Sequence, residues 1–182
     1  MGHQIYDVNQ DARSPIRLPL VRWSPPPVGC NKGNFDAAIF DGLDCAGVGV
    51  VFRDSFGNVI AALIQLIGHA PSVDLAEALA ARRAVALAKE LSLFDVIVEG
   101  DCLRIVQALK KTSLCKTLLG HIVKETKRLG STLRRCHFQH FPRERNRLAH
   151  GLARRAVLSV DSSVWVEELP VDLEDVFQSD FV

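Results

Sequence analysis

Three acidic residues stand where acids are unusual, and their placement suggests chemistry. Asp36 sits inside a strand-like run, Asn34 to Phe40, between Phe35 and two alanines, although Asp is depleted in strands. Glu77 lies in an Ala- and Leu-rich helical run with Ala80, Ala81 and Ala84 at i+3, i+4 and i+7, on the side away from Arg82, Arg83, Lys89 and Glu90. Asp101 directly follows the apolar run Val96 to Val98, where a strand would end and a helix begin; ligands of open α/β sheets collect at that place. Each acid also has an ordinary reading: a water-facing edge-strand Asp, a first-turn Glu, an N-cap Asp. Glu99 reads equally as a second acid projecting the same way or as a strand-end charge. Brought together, three carboxylates repel unless cations lie between them, and hard divalent ions with oxygen ligands meet that need.

A second group is basic. Residues 124–155 hold ten Lys and Arg against Glu125 and Glu144. Within them Arg143, Arg147, His150 and Arg154 fall at i, i+4, i+7 and i+11, one stripe of a helix suited to a polyanion.

The elements that must position these residues follow from pattern and turn chemistry. Three strand-like runs, Asn34–Phe40, Ala46–Arg53 and Asn58–Ile67, are separated by Asp41-Gly42-Leu43-Asp44 and Asp54-Ser55-Phe56-Gly57, so they read as an antiparallel meander. Ser72 to Asp74 supply caps for a long helix over Leu75–Leu91. Phe94–Val98 reads as a strand buried on both faces and Asp101–Lys110 as the helix leaving it, a parallel crossover. A helix over Leu114–Leu129, a strand over Thr132–Phe141 and a helix over Glu144–Leu158 complete the core. The expected fold is α/β: a five-stranded mixed sheet, antiparallel meander plus parallel strands, flanked by helices.

The chain has 182 residues, 48% hydrophobic and 24% charged, enough for one domain and incompatible with a disordered chain. Three parts are expected: a flexible leader over 1–22, a domain over 23–160 and an acidic tail over 161–182. The tail carries seven acids and no Lys or Arg, so the 22 basic residues stand against 14 acids before it, a net +8. It reads as a scaffold for a protein partner or as a segment folding back with Trp165 against the domain. The longest nearly apolar stretch, Val59 to Gly68, is too short to span a bilayer, and residues 1–20 show no secretory signal. An intracellular protein, nuclear or cytoplasmic, without membrane contact and monomeric is expected. Five widely spaced cysteines without a Cys-x-x-Cys pair read as reduced thiols and argue against a zinc site.

The order and content of several segments resemble type 1 ribonuclease H domains, specifically the plant reverse-transcriptase-like branch derived from retroelements. The carriers are Trp23-Ser24-Pro25-Pro26-Pro27, Asn34-Phe35-Asp36-Ala37-Ala38, Gly47 to Asp54, Ala76-Glu77-Ala78-Leu79-Ala80, Val98-Glu99-Gly100-Asp101 and Phe141 to Ala153. The resemblance implies a ribonuclease H-like fold from Trp23 to about Val160. It also implies that Asp36, Glu77 and Asp101 hold two Mg2+ ions, with Mn2+ as a substitute, and that the reaction is hydrolysis of the RNA strand of RNA/DNA hybrids. Asn34, Arg143, Asn146, Arg147 and Arg154 would then contact nucleic acid, while His140 reads either as a proton shuttle near the site or as a strand-end residue without a catalytic role.

Two positions depart from the family pattern. His150 aligns with its fourth acidic residue, and Ala37 replaces the Gly after the first Asp. Imidazole in place of an anion weakens a magnesium site, while a neutral His can still accept a proton from water or ligate manganese. His150 is thus expected among the catalytic residues. The competing expectation is a catalytically silent nucleic-acid-binding module that keeps the fold. A proofreading-type exonuclease would need a carboxylate where Ala38 stands, and an integrase-type enzyme would need its Glu in a late helix.

Overall fold

The meander forms as its turns require. The computed structural model describes residues 22–112 and 116–181, and nearly all of the leader expected over 1–22 lies outside these. Strands β1 (Asn31–Phe40), β2 (Cys45–Arg53) and β3 (Val59–Ile67) pair antiparallel, with Phe40 opposite Cys45 and Arg53 opposite Val59. In the second turn Asp54 Oδ1 accepts from the Phe56 and Asn58 amides at 2.8 and 2.9 Å, and Gly57 takes φ +88°, which glycine adopts without cost.

Helix α1 (Val73–Glu90) starts where Ser72 Oγ accepts from the Leu75 amide at 3.2 Å. Strand β4 (Asp95–Gly100) returns parallel to β1. Helices α2 (Leu103–Lys110) and α3 (Leu118–Gly130) precede β5 (Arg135–His140), which is parallel to β4. The continuous helix expected over 144–158 is broken: α4 spans Arg147–Arg155 between 3-10 turns at Arg143–Arg145 and Ala156–Leu158. The cause is Asn146, whose side-chain amide donates to the Phe35 carbonyl at 2.9 Å and holds the chain out of helical register there.

Among the described residues the sheet has six strands rather than the expected five, in the order β5-β4-β1-β2-β3-β6. The sixth, β6 (Ser163–Val166), comes from the acidic segment and pairs antiparallel with β3, Trp165 opposite Ala62. Its alternating Ser-Val-Trp-Val pattern is too short to stand out among flanking acids, and the unpaired edge of β3 supplies what the pattern lacks. Beyond it, α5 (Glu174–Gln178) and Leu173 lie against α4; Leu173 joins Val51, Ala62, Ile64, Leu148, Leu152 and Ala156 in a core on that sheet face, and Trp165 packs on it. Helices α1, α2 and α3 cover the other face over Phe35, Val48, Val50, Phe52 and Leu63. Each such fully buried side chain contributes roughly 1.5–3 kcal/mol.

Two glycines set the distance between α4 and the sheet. A Cβ at Gly47 would lie 2.0 Å from the Ala153 carbonyl oxygen, and one at Gly49 would lie 2.3 Å from that of Ala149. Only glycine lets the helix backbone rest on β2, and Gly49 is the residue paired with Asp36. The helix residue next to that contact is His150.

Candidate metal centre

The last pair between β1 and β4 is Asn34 with Glu99, after which the two strands diverge. Asp36 and Asp101 lie two residues beyond that pair on their respective chains. Past it, the Ala37 amide donates to Glu77 Oε1 at 3.4 Å, which ties the second turn of α1 to the centre of β1. The alanines around Glu77 allow this: Ala76, Ala80, Ala81 and Ala84 are fully buried and let the helix lie close to the sheet.

Oxygens of Asp36, Glu77 and Asp101 lie within 4.8 Å of one another. Asp36 and Glu77 are buried and Asp101 is half-buried. Burial, then the charge of Asp36, pushes the Glu77 carboxyl up to about 10. Burial and the Asp36 charge also raise Asp101, against the opposing pull of Arg143 and His150. Among the described residues Glu77 Oε2 is buried without a hydrogen-bond partner, an orphaned acceptor of the kind folded proteins seldom leave. Three hard oxygen donors, one unpaired, whose like charges repel one another fit a divalent cation.

His150 does not join that oxygen cluster. Its Nδ1 lies 2.7 Å from Asp36 Oδ2. A carboxylate accepts, so this contact makes Nδ1–H the donor and leaves Nε2 as the ring nitrogen outside it. His140 Nε2 is 3.1 Å from the Asp101 carbonyl oxygen, which likewise fixes Nε2–H as donor.

Arg143, Arg147 and Arg154 are exposed on and before α4, on the element that carries His150. The two asparagines expected to touch nucleic acid are not at the surface. Asn34 is 1% exposed; its Oδ1 accepts from Trp23 Nε1 at 3.1 Å and Arg53 Nη2 at 3.4 Å, and its Nδ2 donates to Glu99 Oε2 at 3.1 Å. Asn146, also 1% exposed, is the bond to Phe35 already described. Each donates a side-chain hydrogen bond to a protein acceptor from inside the fold, where the expectation had it facing nucleic acid.

Glu99 turns away from the cluster to an ion pair with Lys32, 3.1 Å. This buried set of Lys32, Asn34, Arg53 and Glu99 was missed by sequence reasoning. The signal available was the alternation Lys32, Asn34, Asp36, three polar residues on one side of a central strand.

Among known proteins, the family described as reverse transcriptase-like matches residues 34–156. No curated protein matches the chain. Solved structures similar to it include RNase H1 from the halophilic archaeon Halobacterium salinarum NRC-1, with TM-score 0.65, 24% identity and coverage of 70% of this chain and 97% of that one. The N-terminal RNase H domain of rv2228c from Mycobacterium tuberculosis, solved as a fusion with maltose binding protein, gives 0.64, 25%, 70% and 92%. LC11-RNase H1 in complex with RNA/DNA hybrid gives 0.63, 25%, 71% and 99%. The fold of this chain is the RNase H fold.

Proposed function

We propose that this chain, which belongs to the reverse transcriptase-like family, binds RNA/DNA hybrids and hydrolyses their RNA strand with divalent cations held by Asp36, Glu77 and Asp101. The observation that carries this reading is the convergence of three carboxylates within 4.8 Å, one of them buried with an unpaired oxygen. LC11-RNase H1, similar over 71% of the chain, was solved on such a hybrid. When bound, the cations supply Lewis-acid stabilisation of the phosphate and a more acidic attacking water. The chain's own residues do the rest. Asp36, Glu77 and Asp101 gather the positive charge; Arg143, Arg147 and Arg154 neutralise phosphates and orient the duplex; His150, held by Asp36 through Nδ1, presents Nε2 to receive a proton. Discrimination of RNA belongs to the wide minor groove and its 2′-hydroxyls.

The second reading is a catalytically silent hybrid-binding module, favoured by one observation: His150 caps Asp36 where a fourth carboxylate would add an oxygen donor. One experiment separates the two. Purified protein is incubated with end-labelled hybrid under Mg2+, Mn2+ or chelator, beside Asp36→Asn. The enzyme reading expects metal-dependent cleavage that the substitution abolishes. Undiminished hybrid binding in chelator with no cleavage under either metal establishes the silent module instead.

A further inference from the structure

Directly behind the carboxylate pocket, on the same sheet face, lies a second buried charge cluster that no catalytic role uses. Arg53 at the end of β2 is 1% exposed, and its Nη1 donates to Asp180 Oδ2 at 2.6 Å. Asp180 is 5% exposed and lies 24 residues beyond the end of the family match. The guanidinium also stacks 3.9 Å from the Trp23 ring, while its Nη2 reaches Asn34 Oδ1. Phe181 closes the cluster edge-on to Trp23, with centroids 6.2 Å apart.

Lys32, Arg53, Glu99 and Asp180 together are neutral, two cations against two anions, all four buried. Without Asp180 the set carries an uncompensated positive charge, which proteins tolerate poorly when buried. The remaining acceptors near Arg53 are Asn34 Oδ1 and, through its charge, Glu99, which already holds Lys32. Those two residues form the side-chain bridge across the last β1–β4 pair. Asp36 and Asp101 follow two residues later, where β1 and β4 no longer pair although Asp36 is still paired with Gly49 of β2. A cation drawing Asn34 or Glu99 out of that bridge therefore acts at the point where the strands carrying two of the three carboxylates part.

We propose that Asp180, acting through Arg53 on the Asn34–Glu99 bridge, is a positioning residue that sets the separation of Asp36 and Asp101, so that the segment following the family match completes the carboxylate pocket. The proposal rests on the reading of that pocket as a divalent-cation site. It explains why two buried cations lie beneath an acidic pocket although only one acid, Glu99, comes from the family-matched residues of the cluster.

The test uses the full chain with Asp180→Asn, which keeps the shape and removes the charge, beside Asp180→Ala, Asp180→Glu and Phe181→Ala. Folding is checked by circular dichroism. Amide hydrogen exchange of residues 35–37 and 100–102 is read in chelator, and Mn2+ affinity is read by calorimetry. Removing the charge is expected to accelerate exchange at both strands about tenfold. It should also weaken Mn2+ binding by about tenfold, the lower end of the range for lost outer-shell partners of metal ligands, because Asp180 acts further out than such a partner. Asp180→Glu restores both readouts at least in part, and Phe181→Ala, which loosens the end of the chain but leaves Arg53 paired, changes either by less than about twofold. Wild-type exchange and affinity in folded Asp180→Asn overturn the proposal; should Asp180→Ala fail to fold, the Asn and Glu variants decide. A wild-type protein that takes up no Mn2+ defeats the metal reading instead, while the exchange arm, read without metal, still judges Asp180.

Discussion

Replacing Glu77 by Gln should make the metal-free protein more stable, increasingly so as pH rises. In the folded chain this carboxyl is pushed from its ordinary 4.5 up to about 10, first by burial and then by Asp36. Between those values the unfolded chain has released the proton while the folded chain still holds it, so folding becomes less favourable by about 1.4 kcal/mol per pH unit. From pH 4.5 to 7 that amounts to roughly 3 kcal/mol, a large part of an ordinary domain's stability. Gln has the shape of the protonated acid and can keep the Ala37 bond through its carbonyl oxygen, but it has nothing to titrate. Urea denaturation of both proteins in chelator at pH 5, 6, 7 and 8 should give curves that diverge steadily, with wild type falling behind. Added Mg2+ should close most of that gap at pH 7 by binding native wild type more tightly than the variant, adding about 2.7 kcal/mol at one hundred times its dissociation constant. Parallel pH dependences for the two proteins in chelator would show that Glu77 is ionised in the folded state and that the three carboxylates are not in mutual opposition.

Other consequences can be measured separately. Gly49→Ala places a Cβ 2.3 Å from the Ala149 carbonyl and should lift α4, costing roughly 1–3 kcal/mol in urea denaturation and weakening the His150–Asp36 contact; an unchanged midpoint would contradict the close approach. His150→Asp adds an oxygen donor beside Asp36 and should tighten Mg2+ binding on the order of tenfold by calorimetry, with no gain if His150 lies outside the ion's reach. Arg147→Ala and Arg154→Ala should each reduce the slope of log affinity for hybrid against log salt by about one, in a filter-binding series. Glu99→Leu strands buried Lys32 and should cost about 3–5 kcal/mol, whereas doubling it with Lys32→Met should recover most of that.

The stretches with strong local codes were legible from their residues. The meander followed from Asp- and Gly-bearing turns between apolar runs, α1 from its Ser72 cap, and β4 from an apolar, β-branched run too short for a helix. The break at Asn146 was not legible, because the carbonyl that captures its side chain belongs to Phe35, 111 residues away. Nor was β6, whose four residues become a strand only against the waiting edge of β3.

At the carboxylate pocket the division is similar. The sequence singled out Asp36 and Glu77, since an acid in a strand interior or on an alanine face is costly wherever the chain puts it, and Asp101 by its place directly after an apolar strand; those signals belong to the residue and its neighbours along the chain. Tertiary structure alone decided that His150 bonds Asp36, that Asn34 and Asn146 are interior struts, and that Asp180 neutralises Arg53. Those outcomes depend on which groups meet once water is excluded, and burial sets the strength of a charge or hydrogen bond only after distant segments have closed around it.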